Sequence, residues 1–288
     1  MLDRRVSIEA SRPDVASLSE VLRSLGSWQR DRSPMQLHPG DLGWQWRFGA
    51  DNVAELVRVW RDRGEIRAVG FLDGEDLLRM AVSPAHQSDS ALVSRIVADL
   101  AQILPGEVAT VEARCGEVLT RALADEGWLP DEPWTPLERN LAEAVPDSGL
   151  RIEVTDAGGA EERTAVHRAS FGGSSFTAER WHTMADGPAY ADARCLVAFD
   201  ESGAAVAAAS VWSAGAGRPG LLEPVGVHQD HRRLGYGAAI SLAAAAALRD
   251  LGSSSAVVCT PSSNVGAVAT YVAAGFEPFP EERDLRRT

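Results

Sequence analysis

The sequence predicts an α/β (α+β) protein made of two tandem copies of one plan. Strand-like and helix-like segments alternate along all 288 residues, and the order read in the second half recurs, more thinly, in the first. A hydrophobic share of 45% with 24% charged residues supplies enough apolar side chains for two ordinary domains.

Near the start, Arg5 to Ala10 alternates as a short strand. Pro13 to Leu25 follows with helical spacing (Val15, Leu18, Leu22, Leu25) and Gly26 as its stop. Glu65 to Leu72 and Leu77 to Val82 read as strands, Ala91 to Leu104 as a helix, Val108 to Ala113 as a strand. Glu117 to Asp125 is a helix closed by Gly127-Trp128. Pro146, Asp147, Ser148 and Gly149 then cluster, so residues 143–149 are read as a linker between domains at 1–142 and 150–288. Beyond it Leu150 to Val154 repeats the first strand, with Ile152-Glu153 matching Ile8-Glu9, and Ala160 to Ser170 repeats the first helix. Cys195 to Phe199, Ala204 to Trp212 and Leu221 to Val227 are strands. A helix from Gly235 to Asp250 ends before Gly252, Ala256 to Thr260 is a strand, and Asn264 to Ala274 is a short helix before Gly275-Phe276.

The composition also excludes. A net charge of −13 argues against nucleic acid or an anionic membrane as partner and agrees with a cationic small molecule or peptide; with no lysine, any cationic contact to a ligand phosphate must come from arginine or backbone N–H groups. The Ala-rich run from Ala238 to Leu248 is too short for a membrane span, and the amino terminus lacks the apolar region of a secretory signal. Cys115, Cys195 and Cys259 are widely spaced and odd in number, which predicts buried thiols in a reducing cytoplasm rather than disulfides. His228 and His231 lack the further ligands a metal would need, so no metal site is expected.

The chemistry is expected at Arg232-Arg233-Leu234-Gly235-Tyr236-Gly237. A strand that runs through a glycine-rich turn into a helix presents unpaired N–H groups and the positive end of the helix dipole to an anion. Gly235 and Gly237 let the anion approach, and the two arginines add charge. A Walker loop is excluded because no lysine follows, and a dinucleotide fingerprint fits poorly because Ile240 stands at its third glycine.

The stretch Glu223-Pro224-Val225-Gly226-Val227 through Arg232-x-x-Gly235-x-Gly237-Ala238 resembles the central motif of the GNAT N-acetyltransferase superfamily. Asn264-x-x-Ala267, Tyr271 and Gly275-Phe276 look like the family's next signature, in the right order. Gln229 departs from the proline common there, which concerns loop rigidity. The resemblance implies the acyl-CoA N-acyltransferase fold, each domain a mixed, mostly antiparallel sheet flanked by helices. It implies acetyl-CoA held in a gap between splayed parallel strands, with Val225, Gly226 and Val227 along its arm. Arg232, Arg233, Leu234, Gly235, Tyr236, Gly237 and Ala238 would hold the pyrophosphate, and Asn264 and Tyr271 would stand near pantetheine and sulfur. It implies Glu223, directly or through a water, as general base, Tyr271 as acid, and His228 only as a reserve base. Phe171, Ser174, Ser175, Phe176, Arg180 and Trp181 are the candidates for acceptor binding.

Alignment of Val82 with Val227 puts Gln87 at the Arg232 position and Asp89 at the Leu234 position, with Ser90 and Leu92 at the two glycines. Leu78 falls at Glu223, Gly116 at Asn264 and Leu123 at Tyr271. The first domain is therefore expected to be a degenerate, non-catalytic copy, a layout similar to mycothiol synthase-like tandem acetyltransferases of actinobacteria. Its Trp28, Trp44, Trp46, Trp60 and Phe48 are expected to pack the core and fix a domain interface. The reading is an acetyl-CoA-dependent N-acetyltransferase for a small-molecule amine, acting as a monomer or homodimer. Its alternatives are a non-catalytic acyl-CoA sensor or scaffold and a protein lysine or N-terminal acetyltransferase.

Overall fold

The computed structural model describes residues 8–288. The predicted first strand is found as β1 (Ile8–Ser11), and its expected beginning, Arg5 to Ser7, lies outside the described residues. In chain order there follow α1 (Leu18–Trp28), α2 (Pro39–Gln45), α3 (Ala50–Leu56), β2 (Val57–Asp62), β3 (Glu65–Leu72), β4 (Leu77–Val82), α4 (Ser90–Ile103), β5 (Ala109–Glu112), α5 (Glu117–Asp125) and β6 (Leu129–Asn140). The second half holds β7 (Arg151–Val154), α6 (Ala160–Ser170), α7 (Ala178–Ala185), β8 (Ala193–Phe199), β9 (Ala205–Ser213), β10 (Gly220–Val227), α8 (Tyr236–Asp250), β11 (Ser255–Pro261), α9 (Val265–Ala273), β12 (Glu277–Pro278) and β13 (Glu282–Arg287).

α1 does not stop at Gly26. That glycine faces the backbone of Ala214, where a Cβ would come within 2.9 Å of the carbonyl oxygen, so it serves close packing and the helix runs on to Trp28.

The strands join into one 13-stranded sheet. Its order shows an exchange between the halves. β13, from the end of the chain, lies between β5 and β6, with Leu285 opposite Val111 on one side and Glu282 opposite Trp134 on the other. β6 in return reaches into the second half, pairing Trp134–Asn140 with Pro261–Ser255 of β11 and Leu137 with Pro278 of β12. Pro130, Pro133 and Pro136 punctuate β6, a composition that disguises it as a loop in the sequence.

Helices cover both faces. Ile240, Ala244 and Leu248 of α8 pack with Leu222 and Val258 on one face of the second half, and Phe176, Trp181 and Met184 pack with Trp212 and Leu221 on the other. In the first half α4 and α5 cover Trp60, Leu78 and Met80, while α1 to α3 cover Val59, Val69 and Ala81. α2 crosses between the halves and lies on Trp212, where a Cβ at Gly40 or Gly43 would approach the indole to 2.5 Å. Trp60 is fully buried in the core. Trp44 meets Phe176 at 4.8 Å, and Trp46 presses on Gly187, so these two tryptophans join the halves. Among the described residues no helix is long and apolar enough to cross a membrane, and no cluster of ligating side chains could hold a metal ion.

Candidate active site

β10 and β11 run parallel but pair only at Gly220–Ala256 and Leu221–Val257. Further along, β10 bulges between Leu222 and Val225 while β11 continues beside β6, so the two strands part. Val225, Gly226 and Val227 remain paired to β9 on one edge and have no strand on the other. Main-chain donors and acceptors left open in this way can be met by an extended ligand arm.

α8 begins at the tip of this gap. Gly235 caps it in the left-handed conformation (φ 85°), which a side chain disfavours, and no side chain caps the first turn. Its N–H groups are therefore offered to an anion. Gly237 serves packing as well as access, because a Cβ there would lie 2.8 Å from Thr270 of α9. Arg232 donates from Nη2 to the Ser170 carbonyl oxygen at 2.8 Å and so ties the loop to α6. Arg233 also takes a left-handed backbone (φ 65°), and Leu234 is exposed. Tyr236 and Ala238 begin the helix, half-buried. Asn264 caps α9 by accepting from the Ala267 N–H at 3.2 Å, a structural task beside any ligand contact. The parted strands and the bare helix start fit an extended arm that ends in a pyrophosphate.

Glu223 sits at the bulge, and Trp212 Nε1 donates to its carbonyl oxygen at 2.7 Å. Its side chain shares a cavity of about 320 Å³ with Val225, Cys259 and Tyr271. Burial pushes the Glu223 carboxyl up against the opposing pull of Arg79. Burial also raises the Tyr271 hydroxyl to about 12, helped by the nearby Glu223 charge, so the phenol keeps its proton at neutral pH. The Tyr271 ring is held edge-on to Phe276 at 5.8 Å.

The remaining wall comes from the first half. Arg79 on β4 projects into the cavity with Nη1 2.9 Å from Asp41 Oδ1, Nε 3.0 Å from Glu112 Oε2, and Nη1 3.7 Å from Asp73. Burial pushes Asp41 up to about 8, beyond what Arg79 restores, and the nearby Glu223 charge adds to the rise. His38, beside it, is pulled down to about 4 by burial and is neutral. Arg114 reaches Asp284 at 3.0 Å and Cys259 Sγ at 3.4 Å. Burial lifts Asp284 to about 6 and Glu282 to about 7. One half thus brings the strand gap, Glu223 and Tyr271, and the other brings most of the charged wall. Sequence reasoning missed His38, Asp41, Asp73, Arg79, Glu112, Arg114 and Asp284. The available signal was a charged residue inside an apolar strand, Arg79 within Leu77 to Val82 above all.

Of the six acceptor candidates only Phe171 lines this cavity. Phe176 and Trp181 are buried in the core beneath it. Ser174 and Ser175 lie in the loop before α7, where Arg180 donates to the carbonyl and hydroxyl oxygens of Ser175. His228 accepts from the Asp230 N–H at the start of a short turn and is not part of the cavity wall.

The first half closes what the second leaves open. β4 and β5 are also parallel and pair only from Leu77 to Arg79. Past that point the Met80 carbonyl oxygen accepts from the Leu37 N–H at 3.0 Å, and the Val82 N–H donates to Gln36 Oε1 at 3.2 Å. α4 is capped by Asp89, whose carboxylate accepts from the N–H groups of Ala91 and Leu92. Cap for cap, Asp89 matches Gly235 rather than Leu234, an offset of one residue from the sequence alignment.

Residues 162–276 match the model of the acetyltransferase (GNAT) family. No curated protein sequence matches the chain. Among solved structures, the fold is similar to a GCN5-related N-acetyltransferase from Sphaerobacter thermophilus, with a TM-score of 0.56 and 20% identity over 97% of this chain and 95% of that one. It is similar to a GNAT-family acetyltransferase from Colwellia psychrerythraea, at 0.60 and 15% over 97% and 98%. A tandem GNAT protein from the clavulanic acid biosynthesis pathway matches at 0.60 and 17%, again over 97% and 98%.

Proposed function

We propose that this chain, a GNAT-fold protein whose second half carries the acetyltransferase family's domain, transfers an acetyl group from acetyl-CoA to a primary amine of a small molecule. One observation carries the reading: Glu223 and Tyr271, a carboxyl raised by burial and a phenol kept protonated, line one cavity where β10 and β11 part. A pure CoA sensor has no use for that pair.

Val225 and Val227 would bind the donor's arm, and the first turn of α8 would bind its pyrophosphate. The donor supplies an acetyl group already activated as a thioester. An acceptor ammonium has a reference pKa of about 10 and must lose a proton before its nitrogen can attack. Glu223 takes that proton, directly or through a water, and its upward shift makes it a better base than an exposed glutamate. Tyr271 holds a proton at its hydroxyl oxygen for the departing sulfur. Asp41 holds a proton at neutral pH, but Asp73, Glu112, Glu223 and Asp284 outnumber Arg79 and Arg114 along the cavity, a surplus of negative charge that favours a cationic acceptor. A volume of about 320 Å³, closed by the other half of the chain, suits a small amine better than a side chain on a folded protein.

The test is thiol release from acetyl-CoA with a panel of primary amines. At least one amine should be acetylated, and Glu223→Gln should lower its turnover by about a hundredfold. Donor binding with neither amine acetylation nor slow hydrolysis would leave the sensor reading instead.

A further inference from the structure

A larger cavity, of about 850 Å³, lies in the first half, beyond the point where β4 and β5 part. Its floor is the end of β5 and the start of α5, and one wall is the segment that satisfies Met80 and Val82. It adjoins the site already described, since Met35, Gln36 and Arg114 line both cavities. The two differ in charge. Arg30, Arg114, Arg121 and Arg283 face the larger one, against Glu117 and Glu282. The smaller one has Asp73, Glu112, Glu223 and Asp284 against Arg79 and Arg114, with Asp41 protonated and His38 neutral. A molecule spanning both meets a cationic mouth and an anionic inner end. Such a gradient orients a molecule with one charge of each sign and disfavours the reverse pose.

We infer that the parted-strand cleft of the first half is the acceptor's channel, and that the acceptor is an elongated primary amine with an oxyanion, a carboxylate or a phosphate, at its far end. The inference rests on the amine-transfer reading for what happens at Glu223, but not for binding. The amine would sit among Asp41, Glu112 and Glu223, the chain would pass Met35 and Gln36, and the oxyanion would meet Arg121 and Arg283. Arg283 already donates to the Asp131 carbonyl oxygen, which holds its guanidinium at the mouth. Arg121 is exposed on α5 and shares this cavity wall with Glu117, Thr120 and Ala124.

The test uses the full chain loaded with CoA. It is titrated with ω-amino carboxylates and aminoalkyl phosphates of increasing length, and with alkylamines of equal length as the neutral-tailed reference. One anionic series should bind at least tenfold more tightly than the matched alkylamines, with an optimum length, and the preferred series identifies the oxyanion. Arg121→Glu with Arg283→Glu should erase that preference. Ala124→Trp, which fills the channel mouth from an exposed position on α5, should weaken every long amine while CoA binds as before. Equal binding of charged and neutral tails, or long-amine binding untouched by Ala124→Trp, would overturn the channel. Amines that bind as expected and are never acetylated once acetyl-CoA replaces CoA would leave the channel standing and remove the transfer reading. CoA binding with no amine bound at all would remove both.

Discussion

In the second half, Val225 and Val227 turn their main-chain groups into the gap between β10 and β11, and nothing among the described residues takes them. In the first half the matching groups of Met80 and Val82 are taken by Leu37 and Gln36. The helix starts differ in the same sense. Gly235 leaves the first turn of α8 bare, whereas Asp89 fills that of α4 with its own carboxylate. An element that satisfies itself gains stability, since a cap of this kind contributes about 1 kcal/mol, and loses a ligand. Added contacts, as well as lost residues, thus fill in the first half the positions that stand open in the second. Its freed surface supplies the wall of its neighbour's site.

The largest expected effect comes from giving the second half the feature that closes the first. Gly235→Asp places a carboxylate at the start of α8 and should weaken CoA binding by roughly a hundredfold, read by calorimetry. Unchanged affinity would mean that the pyrophosphate lies elsewhere. Next, Tyr271→Phe should lower turnover by about tenfold or more with donor affinity nearly intact, because the role proposed for its phenol is at the sulfur and not at the nucleotide. Equal turnover would remove Tyr271 as the acid.

A smaller effect is expected in stability against pH. Asp41 has its pKa raised from 3.8 to about 8 in the folded protein. A raised carboxyl favours folding fully below its unfolded pKa, and that advantage is lost as pH rises through the folded value. His38, lowered from 6.5 to about 4, acts in the opposite direction only up to about 6.5. The window in which Asp41 prevails is therefore about 6.5 to 8, and chemical denaturation should show the unfolding free energy falling across it. Glu282, raised to about 7, adds to the fall in the lower part of that window. Asp41→Asn should flatten the slope, and an unchanged slope would show that Asp41 ionises normally. The smallest effect is that of Asp89→Ala, about 1 kcal/mol of stability by denaturant titration, without a second CoA site appearing.

The sequence made the second half legible because its motif residues are neighbours along the chain. Strand, Gly235 turn, α8, Asn264 and Tyr271 follow one another, and the family match covers the same stretch. Two things were not legible there. The exchange of β6 and β13 depends on pairing between distant segments, and the prolines of β6 obscure its strand character. The charged wall gathers His38, Asp41, Arg79, Glu112 and Asp284 from four elements and the loop before α2, with no common spacing to betray it. The acceptor candidates chosen from the Phe171 to Trp181 segment illustrate the same limit. Phe176 and Trp181 carry the aromatic character expected of a pocket, yet they pack the core, and only Phe171 reaches the cavity.

The same chain should hold one open donor site and one closed one. Calorimetric titration of the purified protein with acetyl-CoA measures this most directly. One molecule should bind per chain, with that binding lost in Gly235→Asp and kept in Asp89→Ala. Two molecules per chain, or a single one that persists in Gly235→Asp, would contradict it.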